Sequence, residues 1–178
     1  YLGGDIATVV GTWDTVRKER PLENDPTRTG QVTVDDGTAF LARFSNGAIG
    51  TFEATRYAAG NKDLFAFEIN GERGSLKFNY NDPNVLQFFS WDDPQREGGF
   101  KRVLVGNPEH PYAWWPNVLP TGYGDTFVNQ MYELISAIQE DRQPEPGFEV
   151  GVRCQAVVEA VEKSIQERRW VDLSEMLG

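Results

Sequence analysis

Apolar residues recur at every second position over much of the first two thirds of the chain, which is the period of a β-strand. In residues 5–12, β-branched side chains follow this period. Residues 37–45 and 48–56 show strand-like patterns on either side of Asn46-Gly47. Because this dipeptide accepts the positive φ angles of a tight turn, the two runs are predicted to form a β-hairpin.

Further strand patterns follow in pairs. Residues 64–69 and 75–80 flank a longer loop with two glycines, and residues 85–91 and 100–105 flank a proline-containing turn and a polar loop. Together the patterns predict six or seven strands of mostly antiparallel sheet. Residues 17–30 are charged, contain two prolines and have no apolar period, so they are predicted to form a long surface loop.

The last third of the chain changes to helical spacing. Apolar residues in 127–138 fall on one face of a helix that Asp125 is predicted to cap. Prolines and a glycine in 144–147 then separate this helix from a second one, whose apolar stripe runs through 154–165. Strands followed by two amphipathic helices predict the α+β class, as an open, mostly antiparallel sheet with helices packed on one face. For a chain of this length we expect a single domain over residues 1–178.

Composition excludes several classes of partner. The net charge of −10 repels phosphate backbones and anionic membrane surfaces, so neither nucleic acid nor a membrane is an expected partner. Cys154 is the only cysteine, and there is one histidine, so neither an internal disulfide nor a zinc site is expected, and a cytoplasmic location is favoured. Because Tyr1 is not methionine and the sequence begins within a packed element, we expect that the natural N-terminus is missing.

The motifs of cofactor binding and nucleophilic catalysis are weak or missing in the sequence. Residues 122–127 approach a dinucleotide-binding motif but lack its third glycine and follow a proline-rich loop, so helix capping explains them better. The lone His110 precedes a proline and has no serine or cysteine partner in a recognisable motif. The pairs Asp35-Asp36 and Asp92-Asp93 flank glycine or proline, which favours turn chemistry. No catalytic, cofactor-binding or metal-ligating residue is therefore assigned.

An aromatic segment, residues 110–116, is the strongest candidate for ligand binding. It combines flat aromatic faces with a hydrogen-bonding imidazole, as sites for sugar-like ligands often do. Its tryptophans are equally well explained as anchors of the loop, and both interpretations stay open. The candidate residues in and beside this segment are His110, Trp114, Trp115, Tyr123, Asp125, Thr126 and Asn129.

Four stretches in this order carry a resemblance to a known family. They are residues 34–39 (Val-Asp-Asp-Gly-Thr-Ala), 44–50 (Phe-Ser-Asn-Gly-Ala-Ile-Gly), 69–76 (Ile-Asn-Gly-Glu-Arg-Gly-Ser-Leu) and 148–160. With these stretches the chain resembles, over nearly its whole length, the C-terminal domain of the glucose-fructose oxidoreductase, inositol dehydrogenase and rhizopine-catabolism (Gfo/Idh/MocA) family.

The resemblance implies a parent enzyme with an N-terminal Rossmann domain that binds NAD or NADP and oxidises a sugar or cyclitol-like carbinol. The family's catalytic lysine and its Asp/His pair would precede Tyr1, so this chain is expected to bind no cofactor and to be inactive alone. Its implied partners are its own Rossmann domain, a sugar-like substrate and a second copy across the open sheet face. The substrate-facing residues implied are Arg56, Tyr57, His110, Trp114, Trp115, Tyr123 and Asp125.

A non-catalytic carbohydrate-binding or protein-interaction module is the alternative. The sheet face opposite the helices must be solvated or covered by a partner, which suits such a module.

Overall fold

The computed structural model describes residues 4–106, 109, 110, 112, 114, 115 and 119–177, so the start Tyr1-Leu2-Gly3 lies outside the described residues. These residues form two compact units. Unit 1 comprises the described residues within Tyr1–Gly60 and Pro146–Gly178, and unit 2 those within Asn61–Glu145. The elements in chain order are β1 (Ile6–Asp14), β2 (Glu19–Leu22), β3 (Asp25–Gln31), β4 (Gly37–Phe44), β5 (Ile49–Thr55), β6 (Ala66–Gly71), β7 (Gly74–Asn79), β8 (Val85–Ser90), a 3-10 turn (Gln95–Glu97), β9 (Lys101–Leu104), α1 (Tyr123–Gln139), α2 (Phe148–Glu167), β10 (Val171–Asp172) and α3 (Ser174–Leu177).

Unit 1 is built on a four-stranded antiparallel sheet in the order β10-β1-β4-β5, with β2 and β3 forming a separate ribbon. Helix α2 packs on the face of this sheet that carries Val9 and Ala42, which pair across β1 and β4. The core is completed by residues from the end of the chain, so strand β1 is covered by sequence that lies about 150 positions later. Its buried members are Val9, Ala42, Ala160, Val161, Val171 and Leu173.

The contact between β1 and α2 is close because of Gly11. A Cβ at this position would lie 2.9 Å from Val161 Cγ1 and 3.3 Å from Phe40 Cβ. The Gly11 N–H donates to the hydroxyl of buried Ser164 at 3.1 Å, and that hydroxyl donates to the Arg169 carbonyl at 2.7 Å. One side chain thus satisfies a strand N–H and a carbonyl beyond the helix end, as buried polar groups require.

Unit 2 contains the four-stranded antiparallel sheet β6-β7-β8-β9 and helix α1. On one face of this sheet Phe67 pairs with Phe78 and Ile69 with Leu76, as the period-2 pattern requires. The rings of Phe67 and Phe78 lie 5.5 Å apart. The other face includes the ion pair Lys77–Glu68 at 2.9 Å.

The α+β class with antiparallel strands is confirmed, and so is the hairpin at Asn46-Gly47, where Gly47 has a φ of 87° between β4 and β5. The second hairpin has a shorter connection than predicted, because β6 and β7 pair as far as Gly71 and Gly74. Among the described residues there are ten strands, divided among three sheets, rather than six or seven.

Residues 17–30 were wrongly predicted to form a loop. They contain the ribbon of β2 and β3, in which Pro21 pairs with Thr29 and Pro26 lies at the start of β3. Both strands of a two-stranded ribbon are edges, so a residue without an N–H is tolerated there. Nearly all of these residues are exposed, which explains why no apolar period marks the strands.

The core contact of β1 can be tested by replacing Val9 with alanine. Val9 is fully buried, so Val9→Ala removes two methyl groups and leaves a cavity, which we expect to cost about 1.5–3 kcal/mol of unfolding free energy. Val34→Ala makes the same change at a side chain that is 66% exposed and should cost less than about 0.5 kcal/mol. Urea unfolding followed by circular dichroism measures both. Equal losses in the two variants would contradict this core.

Candidate functional site

A shallow hollow lies in unit 1 where β5 ends. Arg56 and Tyr57, both predicted to face the substrate, lie directly after the last residue of β5, Thr55. The Thr55 hydroxyl accepts from the Tyr57 N–H at 3.0 Å and so fixes the turn of the chain out of the sheet. The residues that line the hollow are Arg17, Arg20, Asp36, Arg56, Tyr57 and Ala59.

Asp36 holds this hollow together. Its side chain is almost fully buried and accepts from the Arg17 N–H at 3.1 Å and from Arg20 Nη2 at 2.9 Å. Its own N–H donates to the Asp14 carbonyl, and its carbonyl accepts from the Arg56 N–H, each at 2.8 Å. One residue therefore links the end of β1, strand β2 and the end of β5.

The environment of Asp36 favours its charged form. The Arg17 N–H holds the pKa of this carboxyl below its ordinary value, burial opposes that effect, and the charge of Arg20 adds to the lowering. The prediction of plain turn chemistry for Asp35-Asp36 is therefore wrong for Asp36. It suits Asp35, which is exposed and accepts from the Thr38 hydroxyl.

The second group of candidates lies in unit 2, around Trp114. The Trp114 Nε1 donates to Asn129 Oδ1 at 2.6 Å, and its ring lies edge-on to Tyr132 at 4.9 Å between centroids. Tyr112 packs at 6.2 Å from Tyr132 and donates its hydroxyl to Glu133 at 3.1 Å. Trp114 and its neighbour Tyr112 are thus anchored on helix α1.

Glu133 is the charged centre of this anchor. It accepts from Arg142 Nη1 at 2.6 Å and from the Glu145 N–H at 3.2 Å, and these contacts lower its pKa to about 2. The hydrogen bond to Glu133 in turn raises the pKa of the Tyr112 hydroxyl, and burial and the negative charge of Glu133 add to this effect. Tyr112 therefore stays protonated and acts as a donor.

The remaining candidates are less tightly held. Trp115 is 52% exposed and makes no recorded ring or hydrogen-bond contact with the described residues. Tyr123 lies edge-on to Tyr80 and Phe127, at 6.4 and 5.1 Å. His110 is half-buried, and its Nδ1 has no hydrogen-bond partner among the described residues. Pro111, Ala113 and Pro116 of the aromatic segment lie outside the described residues.

Asp125 has a local structural role that differs in detail from the predicted one. Helix α1 begins at Tyr123 with Gly122 as its N-cap, so Asp125 is in the first turn and is not itself the cap residue. Its carboxylate accepts from the Gly122 N–H at 2.7 Å. The negative charge also suits the positive end of the helix dipole. Thr126 contacts the same turn through its hydroxyl, which donates to the Tyr123 carbonyl at 2.7 Å.

The hollow and the residues around Trp114 offer hydrogen-bond donors and aromatic faces, which are groups that bind small molecules. Within the part of the chain that the structure describes, no group of three or more His, Cys, Asp or Glu side chains is placed to hold a metal ion. No described helix combines the length and apolar character that crossing a membrane requires.

Comparison with known proteins places the chain in a family. Residues 2–173 match the model of the C-terminal alpha/beta domain of an oxidoreductase family. The chain belongs to the Gfo/Idh/MocA oxidoreductases. It is 35% identical, over 99% of its length, to levoglucosan dehydrogenase of Pseudarthrobacter phenanthrenivorans (strain DSM 18606 / JCM 16027 / LMG 23796 / Sphe3), of which it covers 48%.

Solved structures of Gfo/Idh/MocA relatives share the fold. An oxidoreductase domain protein from Kribbella flavida is 44% identical with a TM-score of 0.89, over 96% of this chain and 45% of that one. Levoglucosan dehydrogenase in complex with NADH and L-sorbose is 36% identical with a TM-score of 0.90, over 97% of this chain and 46% of that one. The chain therefore spans about half the length of the relatives it matches.

Three charged members of the hollow, Arg17, Arg20 and Asp36, were not predicted to line it. Arg17 and Arg20 lay in the stretch assigned to a loop, where charged residues are expected on solvation grounds alone. The signal for Asp36 was weak but present, because it adjoins the start of β4 and so is fixed to the sheet. Glu133 and Arg142 were also missed, since they are nine residues apart and meet only after α1 ends.

The role of Asp36 predicts a pH dependence of stability. Its pKa is lowered by folding, so its charge stabilises the folded state fully above about pH 5, and this stabilisation is lost as the pH falls through the ordinary aspartate pKa of about 3.9 toward the lower folded value. We expect Asp36→Asn to lower the thermal midpoint at pH 7. The difference in midpoint between this variant and the unmodified chain, here called the gap, should narrow below about pH 4.

Thermal unfolding followed by circular dichroism between about pH 3 and 7 measures this gap. Asp63→Asn removes an exposed carboxylate that has no recorded side-chain partner among the described residues, and should leave the midpoint unchanged at every pH. A gap for Asp36→Asn that is constant over the whole range would contradict the charged anchor.

Proposed function

We propose that this chain is the substrate-binding and oligomerisation domain of an NAD(P)-dependent oxidoreductase that acts on a sugar or cyclitol-like carbinol. The observation that carries the proposal is its likeness, over nearly its whole length, to a dehydrogenase solved with NADH and L-sorbose. The proposal assigns the chain to a longer parent protein. A cytoplasmic location, favoured by the lone cysteine, belongs to the same proposal.

The strand arrangement of the described residues supports placing the nicotinamide cofactor outside this chain. Every strand pairing recorded among them is antiparallel, whereas the usual dinucleotide site needs parallel strands joined through a helix whose N-terminus meets the pyrophosphate. The proposal therefore assigns NAD or NADP, and with it the hydride transfer, to a Rossmann domain elsewhere in the parent. The residues of this chain would bind and orient the substrate and exclude water from it.

The two tryptophans of the aromatic segment take different roles in this proposal. Trp114 is committed to Asn129 and Tyr132, which suits an anchor. Trp115 presents an exposed ring, which suits stacking on the apolar face of a sugar. The other proposed substrate contacts are Arg56, Tyr57, His110, Tyr123 and Asp125, while Trp114 would hold the segment in place.

Oligomerisation is proposed through the face of the unit 1 sheet that points away from α2. Leu41 on β4 and Ile49 on β5 lie on this face and are 48% and 82% exposed. Apolar side chains on an otherwise solvated sheet face are typical of protein interfaces. A second copy would bury the face by twofold symmetry, the commonest arrangement of homo-oligomers.

The role of Trp115 can be tested in the parent enzyme. We expect Trp115→Ala to raise KM for the sugar substrate about tenfold, because a lost ring contact of about 1.4 kcal/mol is a tenfold change, and to leave cofactor affinity and the thermal midpoint unchanged. Trp114→Ala should differ by lowering the thermal midpoint, because it removes the contacts with Asn129 and Tyr132. Trp91→Ala, which removes another exposed ring outside the segment, is the control. Unchanged KM in Trp115→Ala would count against the proposal.

The assignment of the cofactor to another domain of the parent gives a second test. We expect the isolated chain to show no NADH binding by isothermal titration calorimetry and no turnover of NAD with sugars. The full-length parent, measured for NADH binding and turnover under the same conditions, is the positive control. Tight nicotinamide binding by the isolated chain would overturn the assignment, and sugar binding by the isolated chain as tight as in the parent would favour the carbohydrate-binding module.

A further inference from the structure

The lining of the hollow at the end of β5 carries more positive than negative charge. Three of its lining residues are arginines, and Asp36 is the one carboxylate among the described residues that line it. Asp36 forms an ion pair with Arg20. The side chains of Arg17 and Arg56 have no recorded acceptor or ion-pair partner among the described residues. This local excess stands out on a chain whose net charge is −10.

We propose that Arg17, Arg20 and Arg56 form a binding site for an anionic group, a carboxylate or phosphate, on a small molecule. Guanidinium groups are planar donors whose geometry matches both groups in a bidentate manner. Tyr57, in the same lining, adds a hydroxyl that can donate to the bound group. A neutral ligand would leave the excess charge of the site unmatched.

The site is built in advance by backbone contacts. The N–H of Arg17 donates to the Asp36 carboxylate, and the N–H of Arg56 donates to the Asp36 carbonyl. Both backbone positions are therefore fixed by one buried residue, and the guanidinium of Arg20 is fixed by the same carboxylate. Fixing these backbone positions and the Arg20 guanidinium before the ligand arrives lowers the entropy lost on binding.

This inference extends the proposed function and rests on it only for the idea that Arg56 and Tyr57 face a ligand. It names the chemistry of the ligand group, which the sugar assignment leaves open. Two sources can supply that chemistry: an acidic group on the sugar-like substrate itself, or free inorganic phosphate. The hollow consists of unit 1 residues alone, so binding can be measured on this chain without turnover or cofactor.

The test uses the 178-residue chain and isothermal titration calorimetry with three probes: glucuronate, inorganic phosphate and glucose. We expect at least one anion to bind and glucose to give no binding. Arg17→Gln and Arg56→Gln should each weaken anion binding about tenfold, since hydrogen bonds to charged groups are among the stronger ones. Raising the salt to about 0.5 M should weaken it further by screening.

Both variants should keep the fold, because the contacts to Asp36 are made by the backbone N–H groups and not by the replaced side chains. Circular dichroism verifies this. Arg28→Gln, on β3 and outside the hollow, makes the same change in net charge and should bind the anion as the unmodified chain does.

The outcomes separate the possibilities. Preference for glucuronate over phosphate supports an acidic substrate, and preference for phosphate supports free phosphate. The site is overturned if neither glucuronate nor phosphate binds. It is also overturned if Arg28→Gln weakens anion binding as much as Arg17→Gln and Arg56→Gln do. Either of these negative results would leave the sugar-binding proposal intact, because Trp115 and the kinetics of the parent test that proposal separately.

Discussion

The close contact between strand β1 and helix α2 is the constraint on which unit 1 depends. Gly11 lets the helix approach, since a side chain there would collide with Val161. Ser164 then joins the two elements by accepting from the Gly11 N–H and donating to the Arg169 carbonyl. The helix is thus joined to a strand 153 positions earlier in the chain, and it ends where Arg168 adopts a left-handed conformation. Without this contact, Val9 would lose Ala160 and Val161 of α2 from its core cluster.

The same sheet also determines the geometry of the hollow at the end of β5. Asp36 immediately precedes β4, and β4 is held between β1 and β5 by continuous pairing. Asp36 can therefore reach the Asp14 carbonyl at the end of β1 and the Arg56 N–H beyond β5. Its carboxylate also accepts from the Arg17 N–H and Arg20 Nη2, so the packing of the strands fixes the one negative charge among the described residues that line the hollow.

How far the sequence predicts this molecule depends on whether a feature is local. The Asn46-Gly47 hairpin was predicted correctly because its turn chemistry and both of its strands lie within about twenty residues. The β2–β3 ribbon was missed because neither of its faces is buried, so hydrophobic periodicity gives no signal. The pairing of Glu133 with Arg142 was missed for another reason. It forms only because the chain turns back after α1, and a sequence shows the charges but not the turn.

Adjacent residues of one type show most clearly where prediction from sequence ends. Asp35 and Asp36 are identical in chemistry, yet one is exposed at a turn and the other is a buried anchor. Trp114 and Trp115 are 46% and 52% exposed, yet of the two only Trp114 packs on another ring, that of Tyr132. Neither pair lies within a strand, so the alternation of a strand does not decide which member is held. The held member is the one that contacts another element, β1 and β2 for Asp36 and α1 for Trp114, and the sequence pattern does not show those contacts.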